Sequence, residues 1–222
     1  MKSNSTLLVA IVLSFLCQFT FAQEAQQVSP SENNPKAVEL IKRALLFEDT
    51  MQFQKAIEIY KEVLRLEPKD FAAMNTIAGL YGKLENPAEE VVWAKKAIDA
   101  NPKYFQAHIN FGNGYALQGK FDEALRAYRD AAKLAPKSPL PIYSQGVVAE
   151  NQGRIKEALE LYRKSFEVDA KFEDGLFSAA AMHANLGQFA EAKVLLKKVI
   201  ELNPQAADAR EMLKAVDREK PD

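Results

Sequence analysis

The segment GKFDEALRAYRDAAKLAPKS, Gly119–Ser138, has a pattern that returns at a fixed interval along the chain. GRIKEALELYRKSFEVDAKF begins at Gly153 and GQFAEAKVLLKKVIELNPQA begins at Gly187, so three glycines lie 34 residues apart. Self-similarity at one such period is typical of repeat proteins, in which each unit is a supersecondary structure that packs on its neighbours. The sequence therefore predicts a stack of similar units.

The 34-residue register covers five blocks without insertions, from Ala37 to Ala206. A proline column has Ala170 as its exception and otherwise contains Pro68, Pro102, Pro136 and Pro204. A small-residue column has Glu90 as its exception and otherwise contains Ala56, Ala124, Ala158 and Ala192. A tyrosine column, from which Ala94 and Leu196 depart, contains Tyr60, Tyr128 and Tyr162. Columns of this kind indicate equivalent packing positions in successive units.

Each block is interpreted as two helices joined by a short turn. In the third block the first helix is predicted over Phe105–Leu117 and the second over Phe121–Ala135. Gly119 lies between them, where a residue that adopts positive φ ends a helix. Pro136 ends the second helix, because proline has no N–H and clashes with the preceding turn. Gly112 lies inside the first helix, where glycine costs roughly 1 kcal/mol relative to alanine, so it indicates a packing requirement.

These columns resemble the tetratricopeptide repeat family, whose small and aromatic pattern is best matched by Gly112, Tyr115, Ala124, Tyr128, Ala131 and Pro136. The resemblance implies an all-α fold, a right-handed superhelical solenoid of helix–turn–helix units. Five units are predicted, over residues 37–70, 71–104, 105–138, 139–172 and 173–206. Residues 207–222 are predicted to form a capping helix and tail, because a stack of repeats needs a terminal unit with one polar face.

The first 36 residues differ from the repeats. Lys2 precedes an apolar run from Leu7 to Leu16, and small residues at Thr20 and Ala22 offer a cleavage site, so residues 1–22 are predicted to be a secretory signal peptide. An uncleaved anchor helix is the alternative. Residues 23–36 are polar and are predicted to be a flexible linker. The chain is therefore expected to be exported, to a bacterial periplasm or secreted, with no stable membrane span after cleavage.

The composition argues against several classes of function. With 29 basic and 30 acidic residues the formal net charge is -1, so no nucleic-acid partner is expected. Cys17 is the single cysteine and lies in the predicted signal, which excludes a disulfide framework in the mature chain. His108 and His183 lie in different repeats without carboxylates at ligand spacing, so no metal site, no cofactor and no catalytic residue is predicted. The chain is expected not to be an enzyme.

The two helices of each repeat differ in charge. Phe71–Gly82 and Phe105–Gln118 carry no charged residue, whereas the second helix of the third repeat carries six. Helices without charge are expected to be buried or to face a partner. In the family that the chain resembles, first helices line a concave groove. The predicted partner-binding residues are Asn75, Gln106, Ile109, Asn113, Leu140, Tyr143, Val147 and Phe177.

Two properties of these residues suggest how a groove would bind an extended segment. The amides of Asn75, Gln106 and Asn113 are expected to pair with its backbone, and Tyr143 and Phe177 to supply contact area. The alternative for each residue is a place in the core between repeats. The sequence thus predicts an exported, non-catalytic scaffold that binds a protein or peptide of unknown identity. A structural homo-oligomer that uses the groove or the ends of the stack is the second interpretation.

Overall fold

The computed structural model describes residues 29–218, and within that range it contains a short 3-10 helix, Pro30–Asn33, and eleven α-helices without strands. The chain divides after Leu134 into two compact units, each of which is described separately. The fold class predicted from the sequence, an all-α helical repeat, is confirmed.

The helices of unit 1 follow the 3-10 helix in three pairs: α1 Pro35–Asp49, α2 Phe53–Leu66, α3 Phe71–Lys83, α4 Pro87–Ala100, α5 Phe105–Leu117 and α6 Phe121–Leu134. The helices of unit 2 are α7 Leu140–Asn151, α8 Ile155–Val168, α9 Glu173–Asn185, α10 Phe189–Leu202 and α11 Ala207–Arg218. Within each unit, consecutive helices pack against one another. Helix α11 buries Ala209 and Val216 against the core of the last repeat and presents charged residues to solvent.

The small-residue column marks where paired helices approach closely. Ala56, Ala124, Ala158 and Ala192 are all fully buried. A Cβ atom added at Gly112 would lie 2.4 Å from Cε1 of Tyr128, and one added at Gly146 would lie 2.8 Å from the Tyr162 ring. These distances leave no room for even a methyl group. The packing requirement predicted from the interior glycine is confirmed.

Residues 29–36 were predicted to be flexible, and for this part of the linker the prediction is wrong. Ser29 and Ser31 are buried, and the backbone N–H of Ser31 donates to Oδ2 of Asp70, 3.1 Å away. Asn34 caps the N-terminus of α1 and donates from Nδ2 to Glu67 Oε1 over 2.7 Å. The polar composition that suggested a linker instead provides caps and hydrogen bonds to the first repeat. The predicted signal peptide and residues 23–28 lie outside the described residues.

One backbone conformation recurs at the turn inside each repeat. The residue two positions after the first helix has φ of 73°, 71° and 74° at Gly119, Gly153 and Gly187. At the same register position the first two repeats carry Met51, with φ 55°, and Glu85, with φ 53°. This left-handed conformation costs an L-residue roughly 1–2 kcal/mol, whereas glycine adopts it freely. The turn geometry is thus maintained in two repeats despite an unfavourable residue.

Replacement of these two residues by glycine should therefore stabilise the protein. We expect Met51→Gly and Glu85→Gly each to raise the free energy of unfolding by about 0.5–1 kcal/mol, since the relief of backbone strain exceeds the added entropy of the unfolded chain. Urea unfolding followed by circular dichroism measures the change.

Gly119→Ala is the matched control for this prediction. A Cβ atom at Gly119 would meet no other atom within 4 Å, so any loss of stability there arises from the backbone conformation alone. We expect a loss of about 1 kcal/mol. If all three variants change stability in the same direction, the conformation of this turn does not limit stability.

Candidate functional site

In unit 1 the predicted binding residues lie on α3 and α5, which carry a single charged residue, Lys83, at the end of α3. We call Asn75, Gln106, Ile109 and Asn113 the first-helix surface of unit 1. All four are half-buried. Asn110 Nδ2 donates to the backbone oxygen of Asn75 over 3.2 Å and to Asn75 Oδ1 over 2.9 Å. This pair fixes α5 to α3 and orients the Asn75 amide.

The Asn113 amide is oriented in a similar way by the core of the third repeat. The buried hydroxyl of Tyr128 donates to Asn113 Oδ1 over 2.8 Å. The amide oxygens of Asn75 and Asn113 therefore each accept a hydrogen bond from within the fold, which uses one of the two lone pairs of each oxygen. Their Nδ2 groups have no hydrogen-bond acceptor among the described residues. What these amides offer a partner is a pair of donors.

In unit 2 the predicted binding residues divide into two groups. Leu140 on α7 and Phe177 on α9 are half-buried, and Phe177 packs against the core of the last repeat. Tyr143 is 2% exposed, so the prediction that its ring supplies contact area is wrong. Val147, predicted to face the groove, is also buried.

The reason for the burial of Tyr143 is a cluster of aromatic rings. Its ring centroid lies 5.4 Å from that of Tyr162 and 5.4 Å from that of Phe172, and its hydroxyl shares a hydrogen bond of 3.1 Å with Ser178. Such edge and tilted arrangements are favourable between buried rings. The alternative that the sequence left open for each groove residue, a place in the core, applies here. Burial also raises the pKa of the Tyr143 hydroxyl, which stays neutral.

Comparison with known families decides what kind of repeat this is. The profile of the tetratricopeptide repeat matches residues 41–105, 109–167 and 174–206, more than half of the chain. The chain belongs to the tetratricopeptide repeat family. Proteins of this family generally act as protein-binding scaffolds, and the fold is generally non-catalytic.

Individual relatives share the fold over different lengths. Human protein O-mannosyl-transferase TMTC2 is 27% identical over 94 residues, which are 41% of this chain but 11% of that protein. The solved structure of TTC0263 from Thermus thermophilus superimposes with a TM-score of 0.72 at 16% identity and covers 82% of this chain and 100% of its own. YrrB, described as having an unusual peptide-binding site, gives a TM-score of 0.51 at 22% identity, with 82% and 94% covered. These two structural similarities show the fold.

The two histidines make local hydrogen bonds in this tetratricopeptide repeat protein. His108 Nε2 lies 3.0 Å from the backbone oxygen of Pro102, and His183 Nδ1 lies 2.6 Å from Oε1 of Gln188. Within residues 29–218 no three histidine, cysteine, aspartate or glutamate side chains come together as they would around a metal ion. None of the helices in that range combines the length and the apolar character that a membrane span needs.

A buried carboxyl group in unit 1 is the feature that the repeat pattern least explains. Glu90, the exception in the small-residue column, is 2% exposed, and its Oε2 has no hydrogen-bond partner among the described residues. Its carboxyl lies over Gly82, where an added Cβ would be 2.9 Å from Oε1. Burial raises the pKa of Glu90 to about 8. Burial also raises the pKa of the Tyr128 hydroxyl, and the negative charge of Glu90 adds to that increase.

The raised pKa of Glu90 predicts that stability falls with increasing pH. The unfolded chain ionises this group near pH 4.5, whereas the folded protein keeps the proton until about pH 8. Between these values the folded state binds more protons, so the free energy of unfolding should decrease by up to about 1.4 kcal/mol per pH unit, a few kcal/mol in all. Urea unfolding at pH 5, 6, 7 and 8 measures this slope.

Two variants test the assignment to this residue. Glu90→Gln removes the ionisation and should make the protein more stable than the parent at pH 8, with most of the slope lost. Glu123→Gln, on the exposed face of α6, is the control and should leave the slope unchanged. A Glu90→Gln protein with the parent's full slope would show that other groups are responsible.

Proposed function

We propose that this protein is an exported scaffold that binds an extended segment of a partner protein on its first helices. The observation that carries the proposal is the pair of amide donors on the first-helix surface of unit 1. Asn75 lies on α3 and Asn113 on α5, and the single charged residue of these two helices is Lys83 at the end of α3. The Nδ2 group of each asparagine has no acceptor among the described residues. An extended backbone presents carbonyl oxygens that such donors bind.

The fixed orientation of these donors favours binding. Because Asn110 and Tyr128 hold the two amide oxygens, the Nδ2 groups are directed before a partner arrives. Less side-chain entropy is then lost on binding, which increases affinity for the same contacts. Ile109, half-buried on α5, adds apolar surface for the partner's side chains.

Substitution of the donors by isosteric acceptors tests the proposal without removal of the internal hydrogen bonds. Asn75→Asp and Asn113→Asp keep an oxygen that accepts from Asn110 and Tyr128, but they replace the amide donors by carboxylate oxygens. The double variant should bind the partner segment roughly 30-fold more weakly, about 2 kcal/mol, because two hydrogen bonds are replaced by repulsion between oxygens. Isothermal titration measures affinity, and circular dichroism verifies the fold.

Asn86→Asp is the control for the added charge. Asn86 caps α4 through its side-chain oxygen, which an aspartate retains, so the fold tolerates the change. Its affinity for the partner should equal that of the parent. If the double variant binds the partner segment as tightly as the parent does, the first-helix surface of unit 1 is not the binding site.

The partner itself is found by site-specific crosslinking in the native compartment. A benzophenone amino acid at Gln106, on the first-helix surface of unit 1, should crosslink to the partner, and the same group at the exposed Arg126 of α6 should not. Crosslinked dimers of the chain itself, obtained from Gln106 alone, would support the second interpretation, in which the groove receives another copy.

Export is supported by the sequence of the first 22 residues, a basic residue followed by an apolar run and small residues. We expect the mature protein to start at Gln23. The intact mass of the protein isolated from its native compartment measures this directly. A mass that includes residues 1–22 would favour the retained anchor instead.

A further inference from the structure

Unit 2 contains an open cleft of about 450 Å³, lined by residues of α8, α9 and α10. Apolar side chains from all three helices line it, among them Phe166, Ala179 and Leu195. Val194, at its edge, is 68% exposed, although it lies on a helix with an apolar face. Glu191, also in the lining, makes no hydrogen bond or ion pair with any described residue. Lys156, Glu160 and Arg163 of α8 add charged groups to the lining, and Glu160 pairs with Arg163. Glu191 is therefore a carboxylate of the lining that has no partner among the described residues.

The repeat register shows what occupies the corresponding place in unit 1. Helices α2, α3 and α4 begin and end three periods, or 102 residues, before α8, α9 and α10. At the position of Leu195 unit 1 has Trp93, whose indole packs against the core of that unit. The indole N–H donates to Glu89 Oε2 over 3.2 Å, and Lys96 Nζ lies 3.7 Å from the ring centroid. Unit 1 thus holds an indole between a carboxylate and a cation.

Unit 2 keeps the polar groups of that arrangement and lacks the indole. Glu191 takes the position of Glu89, and Lys198 takes the position of Lys96, while leucine replaces the tryptophan. Ala179 also replaces Ile77, which removes further volume from the lining. Lys198 Nζ lies 5.9 Å from the ring centroid of Phe166, within the range of a cation–π contact. The cleft is thus lined by an acceptor, Glu191, and by apolar side chains that include the Phe166 ring, and Lys198 lies beside that ring.

We propose that this cleft binds the side chain of a tryptophan residue from a partner protein, in the manner in which unit 1 binds its own Trp93. The indole would lie over Leu195, donate its N–H to Glu191 and present its ring to Lys198. Tryptophan combines a large apolar surface with one hydrogen-bond donor and gives the strongest cation–π contacts, so it fits this set of groups better than phenylalanine. The cleft lies between helices of unit 2, and the proposal is independent of the first-helix surface of unit 1.

Titration of the full chain with a blocked amino acid tests the proposal. N-acetyl-L-tryptophan amide should produce saturable changes in the amide resonances of Ala179, His183 and Leu195 in ¹H–¹⁵N spectra. Because one side chain is a small ligand, the dissociation constant should be on the order of 1 mM. N-acetyl-L-phenylalanine amide should bind at least five-fold more weakly, since it cannot donate to Glu191. Absence of saturation, or saturation that maps to unit 1 alone, would overturn the proposal.

Variants assign the binding to named groups. Glu191→Ala, at an exposed position, should reduce the affinity for the tryptophan probe to that for the phenylalanine probe. Leu195→Trp recreates the arrangement of unit 1 and should abolish binding of the probe while the protein stays folded. Lys214→Trp, on the exposed face of α11, adds the same residue elsewhere and should leave binding unchanged.

Two further arms keep the test decisive. If Leu195→Trp does not fold, Ala179→Ile restores the unit 1 residue at a second position of the lining and should weaken binding at least ten-fold. Free L-tryptophan should bind no more tightly than the blocked form, and much tighter binding would overturn the assignment to a protein side chain. The Asn75→Asp, Asn113→Asp variant should bind the probe normally, which separates a failure of the groove proposal from a failure of this one.

Discussion

The close approach of the two helices within a repeat determines where the other side chains of that repeat lie. In the third repeat the backbone of Gly112 lies against the ring of Tyr128, with no space for a methyl group, and Ala124 is fully buried. Because the helices touch at these small residues, the Tyr128 hydroxyl reaches Asn113 and orients its amide. The direction of a side chain proposed to bind a partner is thus set by the packing inside the repeat.

Much of the fold could be predicted from the sequence because it depends on local and periodic signals. The period of 34 residues predicts the positions of the helices, and Gly119 and its equivalents predict the turns between them. The alanine column predicts where the paired helices are in contact. The ordered Ser29–Asn34 segment was missed, since its short polar stretch depends on a hydrogen bond to Asp70, which lies 39 residues away from Ser31. A single contact of this kind leaves no periodic pattern in the sequence.

The candidate site was less predictable, because the repeat register gives the position of a side chain along its helix but not how deeply the side chain is buried. Tyr143 and Phe177 occupy the same register position, yet the Tyr143 ring is buried beside Tyr162 and Phe172 whereas Phe177 is half-buried. The sequence indicates Asn75 and Asn113 as candidate binding residues. It does not indicate that their amide oxygens accept hydrogen bonds from Asn110 and Tyr128. Glu90 was visible as an exception to a column. Its burial depends on the space over Gly82, a residue of the neighbouring helix.

The position of Trp93 gives the protein an intrinsic fluorescent probe of unit 1. It is the single tryptophan of the sequence, half-buried in the second repeat beside a lysine and a carboxylate. Fluorescence excited at the indole band therefore reports on unit 1 alone, whereas far-ultraviolet circular dichroism reports on the helices of both units. Repeat proteins lose structure by segments when the interface between neighbours is weak. The two signals followed in one denaturation experiment measure how cooperatively the two units unfold, without any label.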